Sequence, residues 1–230
     1  MMVAKFIAVI IFGYLLGSVP FGVLISRHVA KVDVRNYGSG KMGATNVMRV
    51  AGKKWAALVA VSDLLKGALA VFAAWFVFHG GHWVFIGSYE WWIVKSAPIL
   101  AALAAMAGHN WPIFLKFRGG RGVATFFGGL AALCPPAFVF GGQVTLLSVG
   151  LTRYVSLGSI AGAVATYAIM LPLTILNGFP VENLVYSFIG AVAIIANHRD
   201  NIARLVTGTE RKLGEKAAIV EPPQNDKRMG

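Results

Sequence analysis

Long apolar runs, separated by short polar segments rich in glycine and basic residues, set the pattern of this chain. The runs fall near 3–26, 55–79, 96–113, 123–152, 154–177 and 183–197. Stretches such as 67–81 and 154–181 contain no Asp, Glu, Lys or Arg, the kind of segment that spans lipid as a helix. The run 123–152 is too long for one crossing. As a single helix it would extend about 45 Å at 1.5 Å per residue, against a hydrocarbon core of about 30 Å. It contains Pro135-Pro136, and adjacent prolines break a helix by removing donors and crowding the preceding turn. Two short antiparallel helices, about 122–134 and 136–152, fit the run better and bring the total to seven. The N-terminus superficially resembles a signal peptide. It has only one early Lys and no small-x-small cleavage site, so it reads as a retained first helix with Pro20 a kink within it. The expected fold is therefore an all-α polytopic membrane protein of seven transmembrane helices, two of them short and separated by the Pro-Pro break. One membrane domain, 1–200, precedes a basic C-terminal segment and frayed tail, 201–230.

Composition agrees. Of 230 residues 57% are apolar and 13% charged, where a soluble domain carries about a quarter charged, and a disordered chain needs low hydrophobicity. The net charge of +12 suggests nucleic acid until its placement is examined. With seven helices, all of the 21 Lys and Arg residues except Lys5, Lys66 and Lys95 fall on one membrane face or in the tail that follows it. Six helices would split them between faces. By the positive-inside rule that face is cytoplasmic, with the N-terminus outside and the C-terminus inside, and the basic loops are a topology signal that can also meet anionic lipids or substrates. No nucleic-acid partner is expected. The single Cys134 excludes an intrachain disulfide and a cysteine metal cluster.

Three polar, glycine-rich segments then converge on that face. In GSGKMGATNVMRVAGKK, 38–54, four glycines alternate with Ser39, Thr45, Asn46 and Arg49, so backbone N–H groups and side-chain donors can together form an anion nest. In GHNWPIFLKFRGGRGVAT, 108–125, Gly119, Gly120, Arg121 and Gly122 precede an apolar helix whose positive N-terminus suits phosphate. In HRDNIARLVTGTERK, 198–212, His198, Asn201 and Arg204 are three apart and share a helical face. Each segment alone reads as a turn or a topology signal; three of them, rich in donors and poor in carboxylates, describe a site for one or two phosphate-bearing substrates. Asp63 and Lys66 lie one turn apart within the second span, where charges are paired or functional, and Ser18 beside Pro20 is near enough to reach the site. His28 and Asp33 have the His-x4-Asp spacing of acyl-CoA-dependent glycerolipid acyltransferases, but without a supporting motif the spacing reads as chance. His79 and His82 read as interfacial residues beside Trp83, not as metal ligands. No Walker loop or alcohol-phosphotransferase motif is present.

At these residues the chain resembles the bacterial membrane glycerol-3-phosphate acyltransferases that use acyl-phosphate as donor. GSGKMGATNVMR is similar to that family's first signature, GHNWPIFLKFRGGRGVAT to its second and HRDNIARLVTGTERK to its third, and the likeness runs from residue 17 to about Lys212. The resemblance implies a seven-helix fold, transfer of the acyl group to glycerol 3-phosphate at the cytoplasmic side of the bacterial inner membrane, and release of 1-acylglycerol 3-phosphate and phosphate. It implies no metal or organic cofactor, and a soluble partner enzyme that makes the acyl-phosphate. Carried over by position, Ser39, Thr45, Asn46 and Arg49 hold substrate phosphates, Gly119 to Gly122 cradle phosphate, and His198 and Asn201 position the glycerol hydroxyl; Lys66 and Arg204 join the phosphate-binding set. His198 is the candidate base, with the substrate's own phosphate as the alternative, and Ser39 is ranked as a binder above a nucleophile. Two positions depart from the family: Arg121 stands where Lys is usual, and Lys41 where Asn is common. Arg keeps the charge and can grip phosphate bidentately, but does not readily release a proton. The competing class is a transporter or flippase for a phosphorylated solute or lipid, against which stands the gathering of all three segments on one face. The chain is expected to be a monomer surrounded by membrane lipids.

Overall fold

The computed structural model describes residues 2–79 and 88–215, without the side chains of His79 and residues 88–92. His82, Trp83 and the tail from Lys216 lie outside the described residues. The described residues form ten α-helices: α1 Met2–Ser18, α2 Phe21–Val29, α3 Ala44–Ala51, α4 Lys53–His79, α5 Ser88–Asn110, α6 Val123–Leu133, α7 Pro135–Thr152, α8 Val155–Asn177, α9 Val181–Asn197 and α10 Arg199–Val206. No strand occurs among the described residues.

Helices cover all seven predicted segments. Four stretches are long and apolar enough to cross a membrane by themselves: Met2–Val29, Lys53–Phe78, Ile93–Leu115 and Val155–Asn177. A fifth follows if α9 and α10 are taken together across their 61° bend. The break at the prolines falls one residue earlier than predicted. Cys134 leaves helical geometry and Pro135 opens α7, where its missing N–H costs nothing. Pro20 does more than kink the first helix: α1 ends at Ser18 and α2 starts at Phe21, because Pro20 has no N–H to continue the ladder. By contrast Pro98 and Pro172 are absorbed inside α5 and α8.

The outer surface is apolar, with Ile11, Leu69, Phe72, Leu146, Ile175 and Leu176 exposed, as lipid-facing side chains require. Inside, small residues allow helices to approach backbone to backbone. Gly13 and Gly17 of α1 abut the backbone of Ala101 and Ala105 on α5, and Gly67 of α4 and Gly128 of α6 make the reciprocal contact between those helices. Short α6 is the central pillar. Its Phe126 stacks on Tyr186 of α9, whose hydroxyl donates to the Phe126 carbonyl at 2.9 Å, and its Phe127 meets Phe138 of α7 edge-on. The pillar begins directly after Gly122, so the packing that fixes α6 also fixes the end of the second glycine-rich segment.

Candidate active site

All three donor-rich segments line one cavity of about 250 Å³. Its walls are the 39–49 segment, Asp63 of α4, His109 of α5, Arg121 to Ala124, Thr145 of α7, Val155, Ser156 and Ser159 of α8, and the stretch from His198 to Arg211.

The first wall is shaped by Asn46. This residue, 2% exposed, donates from Nδ2 to the carbonyls of Val34 (2.8 Å), Tyr37 (2.8 Å) and Lys41 (2.9 Å) and accepts the Ser39 N–H at Oδ1. Its amide is thus committed to the loop, and it contributes by placing Ser39, Lys41 and Thr45 on the cavity wall. Ser39 Oγ accepts the Lys41 N–H, and among the described residues no imidazole or carboxylate is hydrogen-bonded to it. Arg49, in the last turn of α3, lines the cavity with a buried Nε that has no hydrogen-bond partner among the described residues.

The second wall rests on the end of α5. Gly120 N–H donates to the His109 carbonyl at 2.9 Å, and Gly122 takes the left-handed conformation (φ +80°) that turns the chain into α6. Arg121 and Gly122 line the cavity, whereas Gly119 and Gly120 lie beneath it, packed on His109. Arg121 also has a buried Nε without a partner.

The third wall turns at His198, where α9 gives way to α10. The His198 Nδ1–H donates to the Ile194 carbonyl at 2.8 Å, which leaves Nε2 as the acceptor of the neutral ring. Asn201 and Arg204 follow on the cavity-facing side of α10. Glu210, 6% exposed at its side chain, ties this wall together. Its Oε1 accepts from Asn201 Nδ2 (2.6 Å) and Ser156 Oγ (2.8 Å), and its Oε2 from Arg204 Nε (2.8 Å). With Nδ2 spent, Asn201 retains a buried Oδ1 that has no donor.

Cations dominate the electrostatics. Lys41, Arg49, Arg121, Arg204 and Arg211 line the cavity against Asp63 and Glu210. Burial pulls Lys41 below its ordinary range, and neighbouring Arg121 adds to the effect. Burial likewise lowers Arg49, and it brings Arg121 down to about 10, still charged at neutral pH. Desolvated cations held this close together are the electrostatic counterpart of an anion site. For Glu210 burial pushes the carboxyl up, but hydrogen bonds from Asn201, Ser156 and Arg204 outweigh it and hold it below its usual range.

Several sequence candidates sit elsewhere. Lys66 is 1% exposed and does not line the cavity; it pairs with Asp63 at 2.8 Å and donates to the Val19 carbonyl. The physical reason is its position on α4, facing the α1–α2 break. Ser18 is buried and donates to the Tyr14 carbonyl of its own helix. Asp33 is held by Arg27 (2.8 Å) and Arg35 (2.7 Å), while His28 is exposed, so the spaced pair forms no dyad. His79 ends α4. Sequence reasoning missed Glu210 and the Asp63–His109 contact (3.4 Å), although each lay within or beside a segment already singled out.

This is the geometry of an integral membrane protein with a polar, cation-rich cavity walled by its three glycine-rich or basic segments. The glycerol-3-phosphate acyltransferase family profile matches residues 7–208, and the chain belongs to that family; it is an acyltransferase. Glycerol-3-phosphate acyltransferase 3 of Dehalococcoides mccartyi is 54% identical over 94% of this chain and all of its own length. The glycerol-3-phosphate acyltransferase of Thermus thermophilus is 42% identical over 90% of this chain and 95% of its own. The crystal structure of PlsY (YgiH), an integral membrane glycerol 3-phosphate acyltransferase, in its glycerol 3-phosphate form aligns with a TM-score of 0.75 at 37% identity, covering 91% of this chain and 96% of that one. The lysophosphatidic acid form of the same protein aligns equally well, at 35% identity.

Proposed function

We propose that this chain transfers an acyl group from a long-chain acyl-phosphate to a hydroxyl of glycerol 3-phosphate, giving 1-acylglycerol 3-phosphate and phosphate, the first committed step of phospholipid synthesis. The observation that carries this reading is the division of labour among the buried polar atoms. Arg49 Nε and Arg121 Nε are donors without partners, suited to phosphate, and Asn201 Oδ1 is an acceptor without a donor, suited to a substrate hydroxyl. A glycerol phosphate carries both groups, and the second anion falls to the remaining cations.

An acyl-phosphate is already an activated mixed anhydride, so the reaction needs no cofactor. The hydroxyl oxygen attacks the acyl carbon, the bond from that carbon to the phosphate oxygen breaks, and phosphate leaves. The proton given up by the hydroxyl is the one the departing phosphate requires to leave as hydrogen phosphate. His198 accepts and relays it through Nε2, the ring nitrogen left free of the bond to the Ile194 carbonyl, a reading supported by its position on the cavity wall. Asn201 orients the hydroxyl, and Arg49, Arg121 and Lys41 neutralise the charge that develops on the oxyanion and leaving group. Seven crossings of the bacterial inner membrane put this site on the cytoplasmic side, where glycerol 3-phosphate is available and where a soluble enzyme can supply the acyl-phosphate; the basic segments support that orientation.

The test offers purified protein glycerol 3-phosphate with palmitoyl-phosphate, palmitoyl-CoA or palmitoyl-carrier protein, following phosphate release and lipid product. Turnover with palmitoyl-phosphate alone is expected. Turnover with a thioester would overturn the donor assignment, and silence with all three, joined to solute uptake into sealed vesicles, would favour a transporter.

A further inference from the structure

Beneath the second glycine-rich segment lies a buried ionic cluster that the reaction above does not use. Asp63 and Lys66 of α4 and His109 in the last turn of α5 are 2%, 1% and 3% exposed. Asp63 Oδ1 meets Lys66 Nζ at 2.8 Å and His109 Nδ1 at 3.4 Å. Lys66 Nζ also donates to the Val19 carbonyl at 3.3 Å, so the cluster joins the α1–α2 break, α4 and α5. Charges buried in a helix bundle are costly, and retaining three titratable groups there calls for a purpose.

The purpose is visible on the other side of His109. Its carbonyl accepts the Gly120 N–H. A Cβ added to Gly120 would overlap the imidazole Nε2, and one added to Gly119 would overlap the His109 carbonyl and Pro112 Cδ. The two glycines therefore lie flat on His109, and Arg121, the next residue, emerges at the cavity wall. Glycine is required here because the imidazole occupies the space a side chain would fill. The imidazole in turn lies against Asp63, whose Oδ1 is 3.4 Å from Nδ1 and pairs with Lys66 Nζ at 2.8 Å.

We propose that His109, braced by Asp63 and Lys66, is a positioning residue that sets the height of the 119–122 segment and with it the point at which Arg121 presents its guanidinium to a substrate phosphate. The proposal rests on the acyl-transfer reading for the identity of that phosphate. Its signature is reciprocity: shrinking the residue at 109 makes room for a methyl group at 120.

The test is a double-mutant cycle of Gly120→Ala, His109→Asn and the two combined. Asn keeps a short polar side chain beside Asp63 and removes the ring atoms under Gly120. Gly120→Ala is expected to raise the KM for at least one of the two phosphate substrates about tenfold or more, with a much smaller change in kcat, and the combined variant to recover most of that loss, a non-additivity of about tenfold. A combined variant no better than Gly120→Ala, or a Gly120→Ala enzyme with wild-type KM for both substrates, would overturn the proposal. If Gly120→Ala cannot be extracted as a monodisperse protein, the same cycle is read through extraction: recovery on adding His109→Asn supports the proposal, and no recovery overturns it. Wild-type silence with palmitoyl-phosphate would defeat the donor reading instead. The cycle is then read through binding of inorganic phosphate, where the same loss and recovery are expected and their absence overturns the positioning role.

Discussion

Two glycine-rich segments line the cavity, and they use glycine for different reasons. In the 38–46 segment Gly40 and Gly43 have room for a side chain: Gly40 has φ +67° with its nearest neighbour, the Arg35 carbonyl, 3.6 Å from an added Cβ, and nothing lies within 4 Å of one at Gly43. That segment is tied together by hydrogen bonds, with the amide of Asn46 reaching the carbonyls of Val34, Tyr37 and Lys41. In the 119–122 segment the glycines are pressed onto the end of α5, and steric contact does the holding. One loop is stitched by hydrogen bonds and leads into α3, which carries Arg49, and the other is seated on a surface and carries Arg121; both arginines line the same cavity with an Nε unpartnered among the described residues. The same composition therefore predicts opposite sensitivities to mutation.

The largest expected effect is at the cation that the seated loop delivers. Arg121→Ala should reduce kcat/KM on the order of a hundredfold, the scale of removing one donor to developing charge, while Arg121→Lys stays within about tenfold of wild type. Equal activity in all three would show that the backbone alone holds the phosphate. Next comes the stitch of the other loop. Asn46→Ala removes a donor shared by three carbonyls, of which those of Val34 and Tyr37 keep a backbone N–H, and should cost about 1–3 kcal/mol, read as a lowered Tm, with activity falling in parallel. An unchanged Tm would mean the loop has other support. Gly43→Ala, placed in open space, should leave kcat/KM within about threefold of wild type, in contrast to Gly120→Ala. Losses of the same size at both glycines would erase the distinction drawn here. The smallest effect concerns pH. Glu210 is held below its ordinary 4.5, so the stability it contributes is fully present above that value and fades as pH falls through its depressed folded value. Thermal denaturation of wild type and Glu210→Gln should converge only below about pH 4.5; parallel curves down to strong acid would remove Glu210 from the wall.

Much of this was legible in the sequence because apolar length and proline are strong local signals. The break before α7 followed from Pro135-Pro136 and the limited thickness of lipid. The donor-rich walls followed from residue types alone, and His198, Asn201 and Arg204 followed from helical spacing. What the sequence did not disclose is which polar atoms are already spoken for. Asn46 and Arg49 look equally like phosphate ligands in GATNVMR, but folding commits the amide of one and leaves the guanidinium of the other open. Lys66 looked available and is sealed behind Asp63. Glu210, the carboxylate that aligns Asn201 and Arg204, lies nine residues from the first and six from the second, and only the turn after α10 brings it back. These are facts of tertiary pairing, which residue type and spacing do not carry.

In the proposed reaction the acyl group passes directly from one phosphate-bearing substrate to the other, with Ser39 on the wall as a binder. Mixing the enzyme with palmitoyl-phosphate in the absence of glycerol 3-phosphate, while following phosphate release and intact protein mass, tests it most directly. No burst of phosphate and no mass added to the protein are expected until glycerol 3-phosphate is supplied. A stoichiometric burst with a palmitoyl group on Ser39 would contradict it.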